Sequence, residues 1–131
     1  EILASGVSDG HLQMLLLLTA LFSEGERDAL ILFDEPEISL HPWALAVLAK
    51  AIKVAAESWR KQVFIATHSP VLISQFEPEE ILVAEIDQGC THLTRLSQID
   101  ELKDLLEEYA PGSLYMSEAV GPQGPHGAGA S

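Results

Sequence analysis

Runs of apolar residues, separated by short polar turns, divide the first half of the chain into alternating helices and strands. Residues 11–23 are strongly apolar and too many for one strand, which predicts a buried helix. The short apolar run at 29–33, followed by Pro36, is typical of a strand covered on both faces. From Pro42 to Arg60 the apolar positions recur at helical spacing, which predicts an amphipathic helix with proline in its first turn.

The second half continues with shorter elements. The pattern predicts a strand at 62–67 and a short helix from Ser69-Pro70 to about Phe76. A third strand at 81–86 and a strand at 91–96 would form a hairpin through Gln88-Gly89, and a helix follows at 100–109. The succession of strand, helix, strand, helix and strand predicts a parallel sheet of the α/β class. From Pro111 the periodicity is lost, so residues 111–131 are predicted to be a flexible tail.

Composition excludes several classes of function. The chain has 131 residues, 47% of them apolar, and a net charge of −13, so it can bury a core but is poorly suited to grip nucleic acid or an anionic membrane by itself. The most apolar stretch, Leu12 to Phe22, is about half as long as a membrane-spanning helix. The single cysteine, Cys90, excludes an internal disulfide and indicates the reducing cytoplasm as the simplest location.

The basic residues are concentrated in the middle of the acidic chain. Residues 42–76 contain one acidic residue and four basic ones, Lys50, Lys53, Arg60 and Lys61. We interpret these four as the solvated face of the long helix, and contact with an acidic partner is the alternative.

Two carboxylates directly follow the first predicted strand. In a parallel sheet, ligands bind at the carboxyl ends of the strands. Asp34 there can hold Mg²⁺ through water, and Glu35 can orient and deprotonate a water that attacks a phosphate. The alternative is structural, because acidic residues at such positions also cap helices or pair with lysine.

Two further polar segments fit the same chemistry. The second strand ends in Thr67-His68-Ser69, so His68 would come close to the two carboxylates and could bind a terminal phosphate or the attacking water. Ser8, Asp9 and Gly10 precede a helix, whose first N–H groups can bind an anion. A structural histidine and an ordinary helix cap are the respective alternatives.

The order and spacing of these segments resemble a known family. Residues 7–11 (Val-Ser-Asp-Gly-His) are similar to a signature motif, 30–35 to Walker B with its glutamate, 39–41 to a D-loop, and 67–69 to a switch histidine. Together they resemble the C-terminal half of an ABC-class ATPase domain. The runs at 35–42 and 66–70 are similar to those of predicted ATPases of the RecF/SMC/OLD-like group, whereas transporter ATPases differ at 37–41.

The resemblance implies a fold and a reaction. The fold is an α/β, parallel-sheet P-loop NTPase, of which residues 1–110 would form the C-terminal half, ending in a β-hairpin and helix. The ligands are ATP and Mg²⁺, bound between two subunits that pack head to tail. The resemblance assigns Mg²⁺ to Asp34, general-base catalysis to Glu35 and γ-phosphate sensing to His68.

The remaining motif residues would face a partner subunit. The resemblance places Ser8, Asp9 and Gly10 at the nucleotide held by that partner, with Asp9 where a second glycine is commoner. It places His41 at the seam between the two subunits, where transporters usually have an aspartate.

The Walker A motif has no counterpart in this sequence. No glycine is followed by lysine, so the chain contains no Gly-x-x-x-x-Gly-Lys phosphate loop. We therefore expect a fragment that needs an N-terminal Walker A half and binds ATP weakly or not at all alone. The strand and helix faces that would meet that half should be exposed, which favours self-association or a complementing chain.

Four hypotheses about function follow. The leading one is an ATP-hydrolysing fragment of a protein of DNA repair or anti-phage defence, in which other parts contact any DNA. The second is a non-catalytic dimerisation or interaction module. A fragment of a transporter ATPase is the third, and the fourth is a metal-dependent hydrolase that uses Asp34, Glu35, His41 and His68.

Overall fold

The computed structural model describes residues 8–23 and 29–117, which divide into a first unit up to Leu72 and a second from Ile73. The helices and strands of the first unit are α1 (Asp9–Phe22), β1 (Leu30–Asp34), α2 (Pro42–Trp59), β2 (Gln62–Ala66) and α3 (Pro70–Ile73). The last residue of α3, Ile73, already belongs to the second unit. The helices and strands of the second unit are β3 (Leu82–Asp87), β4 (Cys90–Arg95), α4 (Lys103–Glu108) and α5 (Pro111–Met116), with short 3₁₀ turns at Pro78–Glu80, Leu96–Gln98 and Asp100–Leu102.

A two-stranded parallel sheet organises the first unit. β1 and β2 pair from Leu30 opposite Gln62 to Asp34 opposite Ala66, and α2 connects them in the chain. The parallel pairing needs a crossover of this kind, because parallel strands cannot be joined by a tight turn. A mixed α/β architecture with a small parallel sheet is therefore confirmed.

The core of the first unit lies mainly on α2. One stripe of this helix is buried at helical spacing, as its apolar periodicity predicts. Helix α1 packs against α2. The buried apolar side chains are Leu17, Leu21, Ala44, Leu45, Leu48, Ala49, Ala51, Ile52, Ala55 and Leu72.

Lys61 corrects the interpretation of the central bases as a solvated face. It is only 3% exposed. Its Nζ donates to the carbonyl oxygens of Ala20 and Ser23 at 3.2 and 3.3 Å, and it lies 5.9 Å from the centre of the Trp59 ring. The carbonyls at a helix C-terminus have no partners within the helix and carry a partial negative charge, so a buried ammonium group is stabilised there.

One face of the parallel sheet is apolar and exposed. Leu30, Leu32 and Phe64 are 59%, 71% and 45% exposed, and the register places all three on this face. The helix α1 also exposes leucines, of which Leu15 and Leu16 are the most open. The expectation that apolar strand and helix faces are exposed agrees with these values.

The third predicted strand does not join the parallel sheet. Within the described residues, β3 pairs antiparallel with β4 in a separate two-stranded sheet. The reason is local, because the two-residue turn at Gln88-Gly89, both with positive φ, brings β4 directly beside β3. The predicted hairpin is thus present, but the prediction of three parallel strands is wrong.

The end of the second unit is more ordered than the sequence pattern indicates. The predicted helix at 100–109 begins as a 3₁₀ turn and continues as α4. Residues 111–116 form α5, in which Leu114 is buried, although no element is predicted there. Pro111 is compatible with the first turn of a helix. Residues 118–131 of the predicted tail lie outside the described residues.

One surface ion pair supports the start of α4. Lys103 Nζ lies 2.5 Å from Asp100 Oδ1, and this hydrogen bond lowers the pKa of Asp100 and raises the pKa of Lys103. Both side chains are exposed, so the pair contributes little to stability.

In the parts of the chain that the structure describes, no helix combines the length and the apolar character that crossing a membrane requires.

The core assignment can be tested at two neighbouring positions of α2. Leu48 is fully buried, whereas Val47 is 44% exposed. We expect Leu48→Ala to lower the free energy of unfolding by about 2–5 kcal/mol, because it removes buried methyl groups and leaves a cavity. Val47→Ala should change it by no more than about 0.5 kcal/mol. Urea denaturation measures both, and equal effects would contradict this packing.

Candidate functional site

The predicted acidic pair and the histidine lie at the same end of the parallel sheet. Asp34 is the last residue of β1 and pairs with Ala66, the last of β2. The Glu35 N–H donates to the Ala66 carbonyl oxygen at 2.8 Å, which extends the pairing by one residue. His68 follows Ala66 by two residues. All three side chains are exposed at this end of the strands, where parallel sheets bind ligands.

The chain turns sharply as it leaves β1. Glu35 and Ser39 have φ values of +43° and +66°, in the left-handed region that side chains disfavour. The turns close through hydrogen bonds from Ile38 N–H to the Glu35 carbonyl and from Leu40 N–H to the Glu37 carbonyl. Such backbone strain is common at functional sites, where the surrounding structure maintains it.

Glu37 connects this turn with the end of β2. Its Oε1 accepts a hydrogen bond from the Thr67 hydroxyl at 2.5 Å and another from the His68 N–H at 3.2 Å. Its Oε2 is buried and has no hydrogen-bond partner among the described residues. In the sequence, Glu37 stands out only as part of the run at 35–42, and no local pattern indicates this role because the partners lie some thirty residues away in the chain.

The hydrogen bonds continue from Thr67 into α3. The Ser69 N–H donates to Thr67 Oγ1 at 3.0 Å, and the Leu72 N–H donates to Ser69 Oγ at 3.3 Å. Ser69 therefore caps the short helix, as the sequence predicts. The segment that carries His68 is held by polar groups on both sides.

The signature-like segment begins α1. Ser8 is the N-cap, and its carbonyl accepts hydrogen bonds from the N–H groups of His11 and Leu12. Its hydroxyl makes no capping bond and instead lies 2.5 Å from His11 Nδ1. Ser8 and Asp9 are exposed. The first turn of this helix thus keeps N–H groups and a hydroxyl at the surface, which suits an anion.

Gly10 brings α1 against the turn after β1. A Cβ built on Gly10 would lie 2.5 Å from the Ser39 carbonyl oxygen, closer than such contacts allow. The structure therefore joins the signature-like and D-loop-like segments within one chain. Any side chain at position 10 would displace one segment or the other.

His41 has a structural contact. It is the N-cap of α2, and its Nδ1 accepts a weak hydrogen bond from the Trp43 N–H at 3.4 Å. The ring is exposed, so the predicted place at a subunit seam stays a prediction.

The metal site expected for a metal-dependent hydrolase that uses Asp34, Glu35, His41 and His68 does not form among the described residues. Over residues 8–23 and 29–117, no three His, Cys, Asp or Glu side chains are grouped in a way that could hold a metal ion. Mg²⁺ in phosphoryl transfer needs fewer protein ligands, because substrate phosphates and water complete its coordination. A single carboxylate such as that of Asp34 fits this second case.

Comparison with known proteins identifies two similarities. Residues 1–74 match the family described as "AAA domain, putative AbiEii toxin, Type IV TA system". Protein ea59 of Escherichia phage lambda is 35% identical over 69 residues, which make up 53% of this chain and 13% of the phage protein. The chain thus spans only a small part of that relative, and the family match includes the signature-like segment, the acidic pair and His68.

The close contact at Gly10 predicts that alanine at this position lowers the stability of the protein, which is the reverse of its usual effect in a helix. Alanine normally stabilises a helix by up to about 1 kcal/mol relative to glycine. We expect Gly10→Ala to destabilise the protein by about 1–3 kcal/mol instead, because its Cβ would overlap the Ser39 carbonyl. Chemical denaturation measures the effect, and Asp9→Ala at the exposed neighbouring position is the control. A stabilised Gly10→Ala protein would show that the two segments do not meet.

Proposed function

The chain belongs to the family of AAA domains that its residues 1–74 match, and on that premise we propose that it supplies the hydrolytic half of an ATP-hydrolysing site. The family match supports a P-loop ATPase-like domain. Within that class we propose an ABC-class ATPase of the RecF/SMC/OLD-like group. The observation that carries it is the placement of Asp34, Glu35 and His68 at one end of two paired parallel strands.

The roles of the three residues follow from their chemistry. Asp34 would hold Mg²⁺ through water, which neutralises charge on the phosphates. Glu35 would accept a proton from a water as its oxygen attacks the γ-phosphorus and ADP leaves. His68 would donate a hydrogen bond to the γ-phosphate or to that water. Positioning and charge stabilisation account for most of the catalysis in this reaction class.

The site we propose is completed by other polypeptide. The sequence has no Walker A loop, so the β- and γ-phosphates need a cradle from an N-terminal half. The exposed apolar face at Leu30, Leu32 and Phe64 supports this, because a face of this kind is stabilised when another element covers it. We propose that Ser8, Asp9 and Gly10 face the nucleotide of a second subunit, with His41 at the seam.

The biological setting is proposed from the comparisons. The family description names an AbiEii toxin and a type IV TA system, and the similar protein belongs to a phage. We propose anti-phage defence or DNA repair as the setting, as the resemblance of the motifs suggests. Any contact with DNA would involve other parts of the protein, because this chain has a net charge of −13.

A non-catalytic interaction module is the second candidate. The missing Walker A loop and the exposed apolar sheet face favour it. In that case the acidic pair and His68 would be dispensable, and the chain would serve association alone.

Nucleotide binding by the chain alone tests the incompleteness of the site. We expect no saturable binding at micromolar Mg-ATP, because the chain offers no phosphate cradle. Isothermal titration calorimetry measures this directly. A micromolar dissociation constant, equivalent to about −8 kcal/mol, would contradict the proposal that a second half is needed.

Adding the Walker A half in trans separates the two candidate functions. We expect ATP hydrolysis by the assembled complex, and Glu35→Gln should lower kcat by about 100-fold or more because it removes the general base. Gln keeps the size of the side chain, and Glu85→Gln in the second unit is the control. Hydrolysis that is unaffected by Glu35→Gln, or absent from a stable complex, would favour the interaction module.

A further inference from the structure

We propose that Glu37 is a positioning residue for His68, holding the backbone on both sides of the imidazole through one carboxylate oxygen. The purpose assigned to this positioning, contact of His68 with the terminal phosphate, rests on the proposed function. The positioning itself rests on the hydrogen bonds at the end of β2.

Two polar groups donate to Glu37 Oε1, and a third is linked to it through Thr67. The oxygen accepts directly from the Thr67 hydroxyl and from the His68 N–H. A hydroxyl has one hydrogen to donate, and that of Thr67 is given to Glu37, which leaves its oxygen to accept from the Ser69 N–H. Thr67 and His68 are thus bonded to one oxygen, and Ser69 is linked to that oxygen through the Thr67 hydroxyl.

Exposure explains why such an anchor matters for His68. The imidazole is exposed, so burial in a core does not fix the position of its backbone. Holding the backbone beneath the ring restricts where the ring can lie.

The same carboxylate links His68 to the turn that carries Glu35. Glu37 lies two residues after Glu35, and its own carbonyl accepts the Leu40 N–H at 3.0 Å. The Ser39 carbonyl in this turn touches Gly10 of α1. Glu37 is therefore the point at which the turn after β1 is bonded to the segment after β2.

The second carboxylate oxygen of Glu37 takes no part in these bonds. Oε2 is buried without a hydrogen-bond partner among the described residues. The contacts from Glu37 to the segment around His68 therefore run through Oε1.

Amide exchange in the 131-residue chain tests the positioning directly. We expect Glu37→Ala to speed exchange at the His68 amide by about tenfold, because its acceptor is lost, and to speed it less at the Ser69 amide, because Thr67 Oγ1 can still accept that bond. The Glu35 amide, which is bonded to Ala66, should change by less than about twofold. Glu37→Gln should stay close to wild type, because its amide oxygen can accept the same two bonds.

Two substitutions at position 67 test the hydrogen-bonded link from Glu37 through the Thr67 hydroxyl to the Ser69 N–H. Thr67→Val removes the hydroxyl at nearly constant shape and should speed exchange at Ser69, whereas Thr67→Ser keeps the hydroxyl and should not. Unchanged exchange at His68 in Glu37→Ala would overturn the proposal. Equal loosening at Glu35 would also overturn it, because Glu37 would then support the fold in general.

The kinetic counterpart uses the complex assembled with the Walker A half. Glu37→Ala should lower kcat about tenfold with the KM for ATP nearly unchanged, and Glu37→Gln should restore most of the turnover. An active wild-type complex that Glu37→Ala leaves equally active would contradict the role toward His68. If the wild-type complex does not hydrolyse ATP, the proposed function fails, and the exchange comparison still decides on the positioning.

Discussion

The parallel pairing of β1 with β2 is the constraint on which the candidate site depends. Asp34 is fixed opposite Ala66, and the Glu35 N–H extends the ladder, so the acidic pair and His68 leave the sheet at the same end. A shift of the register by one residue would move every side chain of a strand to the opposite face. The buried stripe of α2, including Leu48, stabilises the unit in which this register is set.

Polar groups are used in two different ways in the first unit. Lys61 is buried, but its ammonium group meets carbonyl oxygens at the end of α1 and an aromatic ring, so its charge is compensated. Glu37 is satisfied at one oxygen only. The first arrangement joins a helix end to the sheet at little cost. The second holds the segment around His68 and leaves one polar atom without a partner in the described residues.

The exposed apolar face and the absent Walker A loop both favour the proposal that another polypeptide completes the site. Leu30, Leu32 and Phe64 lie on the face of the sheet that carries Asp34 at its end. An element that covered this face would therefore reach the acidic end of the sheet as well. Under the proposed function this is where the phosphate-binding half belongs, so the burial of the leucines and the completion of the site would be one event.

Local sequence signals are sufficient to predict the elements of the first unit and the residues at its strand ends. Hydrophobic periodicity and proline positions act locally, so α1, β1, α2 and β2 agree with prediction to within a few residues, and Asp34, Glu35 and His68 lie at the predicted strand ends. The remaining features depend on contacts between distant parts of the chain. The burial of Lys61, the role of Glu37 and the close approach of Gly10 to Ser39 join residues some thirty or forty positions apart. The hairpin of β3 with β4 is encoded locally by the turn at Gln88-Gly89, but no local pattern tells whether β3 also joins the parallel sheet, because that depends on contacts between distant segments.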